Sequence, residues 1–374
     1  QVSNNNTYTA GAGPNAGKPV VLRNALSFNY DVRLNFDTSF TGKDLLRTQL
    51  RAGNFKDSAF GADPTKLSKL DAAFEQNLGN SDGGDVVAIQ RLYYKFPVGK
   101  NVTIVAGPRV RQDDMLAVWP SVYTGDKILK FFQFNGSPVA NSQVLGGGAG
   151  IWWKEGKKGF SVGANYVAGK SDVGDPLSGG FGNGNSAGSG SVQLAYTGKN
   201  WNLTGLYTYN NRYVSTIGTP FEDIAKSGWG GTNAFNLAGY WQPLQNGWIP
   251  SISAGWGIAT SNDIGGTRTN PNTGDTLTTQ SWSVGLNWKD AFAKGNVLGL
   301  AVGEGTFVTN TYDNKNLGPW DGNYAWEAYY KFQVSDNIAV TPAVFYLSRP
   351  QGEFTGNGNS FDTFGYLIQT TFKF

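Results

Sequence analysis

Residues 26–40 read LSFNYDVRLNFDTSF and alternate in chemistry without a break from Leu26 to Asp37. Side chains of a strand point alternately to opposite faces. Leu26, Phe28, Tyr30, Val32, Leu34 and Phe36 therefore form one apolar face, against Ser27, Asn29, Asp31, Arg33, Asn35 and Asp37 on the other. A soluble sandwich rarely sets Asp31, Arg33 and Asp37 behind so uniform an apolar row, whereas a wall with lipid on one side and water on the other requires it. The chain ends in the same pattern, FDTFGYLIQTTFKF, with Phe364, Tyr366, Ile368, Thr370, Phe372 and Phe374 in one phase. Alone, that closing segment also fits the edge strand of a soluble sandwich. The rest of the chain does not.

The period of two recurs along the whole sequence. Leu46, Thr48, Leu50 and Ala52 oppose Arg47, Gln49 and Arg51; Leu92, Tyr94 and Phe96 oppose Arg91, Tyr93 and Lys95. Further segments centre on 102–104, 160–166, 192–196, 252–258, 282–288, 298–302, 324–332 and 338–346, with less regular ones at 201–210 and 233–241 and one placed by position alone at 147–153. Most legible spans have the length that a tilted strand needs to cross a bilayer. Connections alternate too. Short turns lie near 41–44, 97–101, 154–158, 197–200, 243–247, 290–295 and 334–336, and long Gly/Asn/Asp-rich loops near 54–84, 109–146, 170–189, 211–231, 260–277, 309–321 and 348–360. Short turns on the periplasmic side and long loops outside are the pattern of outer-membrane barrels. A propeller would repeat one period of about 40 to 50 residues, which is not seen.

The expected fold is all-β: a transmembrane antiparallel β-barrel, with 1–374 forming one domain and residues 1–24 a lead-in or extracellular loop. Fifteen strands are legible, and the first and last both run down to the periplasm. Single-chain bacterial barrels have an even number of strands, so one ascending strand is unaccounted for. It lies upstream of Gln1, or Asn6–Ala10 supplies it, or a strand has been split elsewhere. Sixteen is expected, with fourteen as the alternative. Starting at Gln1 without Met, the chain reads as a mature or trimmed form.

Composition excludes several functions. Cys and His are both absent, which removes Ser-His-Asp and Cys-His catalysis and every His- or Cys-ligated metal site. No enzyme, cofactor or metal centre is expected. A net charge of +3 is too mild and scattered for nucleic acid. No run is long and apolar enough for a membrane helix, but the mean hydropathy of −0.33 suits a barrel, whose strands spend half their positions on a polar lumen. Aromatics beside the short turns, among them Phe36, Phe40, Tyr94, Phe96, Trp201, Trp241, Trp248, Trp288, Phe332, Phe372 and Phe374, read as an interfacial girdle.

In such a barrel the chemistry belongs to lumen side chains and to any loop folded into the bore. Arg33, Arg47, Arg51, Arg91 and Lys95 share the inward phase, and segment 109–146 opens with Arg109, Arg111, Asp113 and Asp114. An arginine row facing acidic loop residues would set a transverse field across a narrow throat. Alternatively the arginines pair with Asp31, Asp37 and nearby carboxylates to brace the wall; the two are compatible. Segment 109–146 is the candidate constriction loop because it is long and carries the apolar patch Ile128-Leu129-Lys130-Phe131-Phe132, which needs something to pack on. A surface lid or a subunit contact is the alternative. Gly146–Gly148 lacks the Gly-Lys-Ser/Thr ending of a phosphate loop and reads as the start of a strand. The acidic runs Asp82–Asp85 and Asp172–Asp175 are candidates for bridging cations, or simply solvated loops. Inward Tyr93, Tyr329 and Phe345 could guide a sugar.

The stretch RLNFDTSFTGKDLLRT (33–48) resembles the start of the cyanobacterial outer-membrane porins, the S-layer-homology-linked or iron uptake porins, whose barrel is related to the carbohydrate-selective porins. LYYKFPVG (92–99), YWQP (240–243) and the segment from Ala301 to Val308 resemble the same family. The resemblance implies a homotrimer in the outer membrane, surrounded by lipid and lipopolysaccharide, passing small solutes and mainly inorganic ions. Carbohydrate transport and a structural barrel with a plugged pore are the alternatives. It also implies an N-terminal S-layer-homology domain that binds peptidoglycan-linked polysaccharide; no such domain is in these residues.

Overall fold

The alternation becomes one antiparallel sheet in the computed structural model, which describes residues 2–3, 7–9, 19–21, 25–61, 65–77, 83–123, 127–211, 217–225, 231–261, 276–311, 321–356 and 358–374. Three short strands come first, β1 (Val2–Ser3), β2 (Thr7–Thr9) and β3 (Pro19–Val21). The wall begins with β4 (Asp31–Thr38), β5 (Leu45–Gly53), β6 (Ala88–Val98), β7 (Val102–Arg111) and β8 (Leu145–Lys154). It continues through β9 (Gly159–Ala168), β10 (Gly188–Thr197), β11 (Trp201–Asn210), β12 (Thr232–Trp241) and β13 (Ser251–Ser261). The last five strands are β14 (Thr276–Lys289), β15 (Val297–Thr311), β16 (Tyr324–Ser335), β17 (Ile338–Ser348) and β18 (Asp362–Phe372). From β4 to β18 each strand pairs with its sequence neighbour, and β1 pairs with β18, giving sixteen strands in one sheet.

All fifteen strands read from the sequence are present, including 147–153, which falls within β8. The sixteenth is β1, whose Val2 and Ser3 lie opposite Gly365 and Phe364. Asn6–Ala10 does not supply it: Thr7–Thr9 pairs with Pro19–Val21 in a separate hairpin, and Asn6 and Ala10 lie outside the described residues. Two boundaries also move. The first wall strand starts at Asp31 rather than near Leu26, because the Tyr30 N–H donates to the Asn54 side chain (3.0 Å). β7 runs on to Arg111, so Arg109 and Arg111 belong to the wall and not to the loop.

Burial is inverted relative to a soluble protein. On β10, Ser191, Gln193 and Ala195 are buried while Val192 and Leu194 are 52% and 59% exposed. The same inversion runs through β11 and β12, where Asn202, Thr204, Thr208 and Asn236 are buried and Leu203, Tyr207, Phe235 and Leu237 are exposed. A sheet whose small polar residues face inward and whose large apolar residues face out has its dry side against lipid. Rings cluster beside the short turns. Tyr94 stacks on Phe96 (5.2 Å between centroids), Tyr196 lies between Phe160 and Trp201 (4.9 and 5.3 Å), and Tyr330 meets Phe332 (4.5 Å).

The first short turn is held by one carboxylate. Asp44 accepts hydrogen bonds from Ser39 Oγ (2.6 Å), Tyr94 Oη (2.5 Å), Thr41 Oγ1 (2.7 Å) and Thr41 N (2.8 Å). The Ser39 and Tyr94 hydroxyls, helped by Thr41, hold its carboxyl well below the usual range. Gly42 takes φ +76° at the tip, where a side chain would be strained. The hydrophobic clusters lie inside the barrel, between the wall and the loops folded into it.

Candidate pore constriction

Inward positions of β10 to β15 are nearly all Gly, Ala, Ser, Thr, Asn or Gln, and the long loop after β7 lies against them. Leaving β7, the chain makes a 3-10 turn at Gln112–Met115. The Gln112 amide donates to Ala140 O (3.1 Å) and to Ser191 Oγ of β10 (3.0 Å). Val118 exchanges two hydrogen bonds with the Gln193 side chain (3.0 and 2.9 Å), and Val122 N donates to Ser253 Oγ of β13 (2.9 Å). Further on, Leu129 N donates to the Glu327 carboxylate of β16 (2.6 Å). A second 3-10 turn, Lys130–Phe134, leads to Gly136, whose carbonyl accepts from Ser281 Oγ of β14 (2.8 Å).

Glycines let the loop lie flat there. A Cβ on Gly255 would sit 1.9 Å from Asn135 O, and one on Gly257 2.2 Å from Ser137 Oγ. The apolar patch of the loop finds its partners in the lumen. Ile128, Leu129, Phe131 and Phe132 are buried in one cluster with Phe55, Phe60, Leu67, Tyr329 and Phe345. Residues of the β5–β6 loop run alongside, since Asp71 N donates to Ile128 O (2.9 Å) and Lys130 N to Lys69 O (2.8 Å). These two loops occupy the β10–β17 side of the bore.

A polar cavity of about 190 Å³ remains on the β4–β7 side. Arg33, Arg47, Arg51, Arg91 and Arg111 line it from the wall, together with Gln49. The loops contribute Asp71, Asp114, Lys130 and Gln133. Strand register explains the convergence: Arg33 lies opposite Arg51, Asp37 opposite Arg47 and Gln49 opposite Arg91, all in the inward phase. The arginines are braced from behind. Asp31 bridges Arg33 Nη2 and Arg51 Nε (2.6 Å each), and Asp37 takes two hydrogen bonds from Arg47 (2.8 and 2.6 Å). Arg91 pairs with Asp114, and Arg111 with Asp113.

Six of the nine residues expected at the pore are thus brought together: Arg33, Arg47, Arg51, Arg91, Arg111 and Asp114. Lys95, Arg109 and Asp113 are not among the lining residues. The register of β6 and β7 shifts between Leu92 and Tyr94, and between Gly107 and Val110 of β7 and β8. Arg109 therefore falls out of the inward phase, with its Nε buried and without a hydrogen bond. The opposed acidic rim also fails to form, because Asp113 and Asp114 close back on Arg111 and Arg91 of the same wall. What faces the arginines from the loops is Lys130 beside Asp71. Burial pushes its amine down to about 7, Asp71 opposes the shift, and Arg111, Lys69 and Arg51 add to it. Asp71 is held down at about 2, burial being outweighed by Lys127 (3.4 Å), Lys130, Arg33 and Arg111.

Gln49, Asp71, Lys130 and Gln133 escaped the sequence reading of the site. Gln49 shares the phase of Arg47 and Arg51, and Lys130 interrupts the apolar patch, so both carried a signal. Elsewhere, Asp85 accepts from the Tyr30 hydroxyl, and Asp175 accepts from Leu177 N (3.0 Å) and Ser178 Oγ (2.5 Å). Asp82 lies outside the described residues. No group of three acidic ligands occurs among the described residues.

Over residues 3–374 the sequence matches the family described as Carbohydrate-selective porin, OprB family. The chain belongs to that family. It is 28% identical over 381 residues to an uncharacterized protein of Synechocystis sp. (strain PCC 6803), covering 93% of this chain and 64% of that relative, so the chain spans less than two thirds of its length. Among solved structures, Pseudomonas putida OprB at high pH superimposes with a TM-score of 0.58 at 14% identity, covering 92% of this chain and 87% of that one. An anion-selective porin from Comamonas acidovorans gives a TM-score of 0.52 at 10% identity, covering 92% and 89%. At those identities the two structures speak to the fold. These residues form the outer-membrane β-barrel of an OprB-family porin.

Proposed function

We propose that this porin is a narrow, water-filled diffusion channel for small inorganic ions, with a preference for anions. The observation that carries the proposal is the cavity of about 190 Å³ lined by five arginines and Lys130 against Asp71 and Asp114. Counting Asp31, Asp37 and Asp113, which pair with the arginines, the charges nearly balance, but the residues lining the cavity itself are mostly cationic. Rings of Arg and Lys select anions where low-dielectric walls concentrate their field.

The family's description favours carbohydrate as a second solute class. Against that stand the inward aromatics, the groups on which a sugar would stack. Tyr93, Tyr329 and Phe345 are only 4%, 3% and 1% exposed, and the last two lie under the loops. The same resemblance supports a homotrimeric assembly; cell-wall attachment through an S-layer-homology domain concerns sequence outside these residues. Reversal potentials of the purified porin in a planar bilayer under a KCl gradient test ion preference. Anion preference with conductance insensitive to added sugars is expected. Cation preference would overturn the anion preference, and saturable block by sugars would replace this proposal with the second.

A further inference from the structure

The wall arginines are held as a set of fixed donors, which is more than a diffuse positive field needs. Arg47, Arg51 and Arg111 each spend Nε and Nη2 on one carboxylate. For Arg51 and Arg111, Nη1 takes part in none of the described hydrogen bonds, Arg47 has Tyr93 as a further side-chain partner, and all three line the cavity. Across the cavity, Lys130 donates only at 3.4 Å, to Gln133. A guanidinium gripped along one edge by a carboxylate cannot swing away, so its remaining N–H groups stay in place before any ligand arrives. Charge-assisted hydrogen bonds from such preset donors are the strong, geometrically selective kind.

Size and composition narrow the ligand. The space of about 190 Å³ among these side chains has room for one small oxyanion with part of its hydration shell. Chloride would offer these donors one spherical acceptor. A tetrahedral oxyanion offers several acceptors in different directions, matching donors that converge from β5, β7 and the loop. Asp71 and Asp114 also line the cavity and weaken the hold on a dianion. A channel station needs that, because conduction requires release as well as capture.

We propose that the throat is a binding station for one small oxyanion at a time, inorganic phosphate or sulfate, held by the free edges of Arg51 and Arg111 with Lys130 and beside Arg47. The proposal rests on the anion preference put forward above and adds saturable recognition to it. The test is chloride current through the purified porin in a planar bilayer while sodium phosphate, and separately sodium sulfate, is titrated on one side. A saturable fall in chloride current with either ion is expected. Arg51→Gln and Arg111→Gln should each weaken that block about tenfold, equivalent to about 1.4 kcal/mol. Because these variants also unpair Asp31 and Asp113, Gln133→Glu serves as the second probe. It breaks no arginine pair, adds one negative charge to the lining, and should weaken the block as well. Anion preference without saturable block by phosphate or sulfate, or a block unchanged in Gln133→Glu and both arginine variants, overturns the station and leaves the anion channel standing. Cation preference in the KCl gradient overturns both.

Discussion

Tyr123 donates its phenolic hydroxyl to the Glu327 carboxylate at 2.9 Å, tying the constriction loop to a strand on the far wall. The same carboxylate accepts Ile128 N at 3.2 Å and Leu129 N at 2.6 Å. One wall residue therefore collects three donors from the two arms of the loop. Each such hydrogen bond contributes about 0.5–1.5 kcal/mol, and the three together tie the loop to β16. Glu327→Ala should free that part of the loop, raising single-channel conductance and current noise. Glu327→Gln keeps one acceptor oxygen and should lie between. Equal conductance in all three proteins would mean that the loop is held by its other contacts.

Backbone approach is tested at Gly255. Its missing side chain leaves room for Asn135 O, 1.9 Å from where a Cβ would stand. Valine suits a strand, so Gly255→Val should still assemble, but its side chain pushes the loop off β13 toward the arginine wall. Conductance should fall in Gly255→Val and stay unchanged in Ala254→Val, whose side chain points to the lipid face. Similar currents from the two variants would show that the loop does not bear on β13.

How much of this was legible follows from the physics of each part. Lipid on one face and water on the other impose a period of two, so Leu34, Leu194 and Trp256 announced their strands. β1 has two residues, too few to show a period, and only its pairing with Gly365 and Phe364 locates it. The arginine wall was legible because register preserves phase between β4, β5 and β6. Arg109 was read as the start of the loop, but β7 runs on to Arg111, and the register shift between Gly107 and Val110 turns Arg109 away from the lumen. The patch Ile128–Phe132 announced a need for packing but not the surface that meets it. The small inward residues of β10–β15, such as Ser253, Gly255 and Gly257, were the complementary signal. Asp113 and Asp114 were expected to cross the throat, but arginines on their own side lie closer.

The inside–outside assignment predicts an asymmetry of substitution. Leu194 is exposed on the lipid face of β10, and Arg33 faces the lumen on β4. Leu194→Arg places a charge against hydrocarbon, at about 2–4 kcal/mol near the bilayer midplane. Arg33→Leu leaves Asp31 paired with Arg51 and should chiefly change permeation. The temperature at which the folded barrel unfolds in detergent should therefore drop for Leu194→Arg and barely move for Arg33→Leu. The reverse order would invert the wall.

Ion preference should depend on pH around neutrality, through Lys130. Burial brings its amine down to about 7, so it carries charge below that pH and loses it above. Asp71, held at about 2, stays ionised across this range. One of six cationic groups lining the cavity is thus removed as pH rises through 7. The chloride-to-potassium permeability ratio should be highest on the acid side of 7 and fall through neutrality to a lower plateau. Lys130→Met should abolish the step and hold the ratio near its alkaline value at every pH. Lys69, also pushed down by burial, is the neighbour able to mimic this behaviour, so Lys69→Met is the control and should keep the step. A ratio independent of pH in the parent protein, or a step that survives in Lys130→Met and vanishes in Lys69→Met, would move the titrating charge away from Lys130.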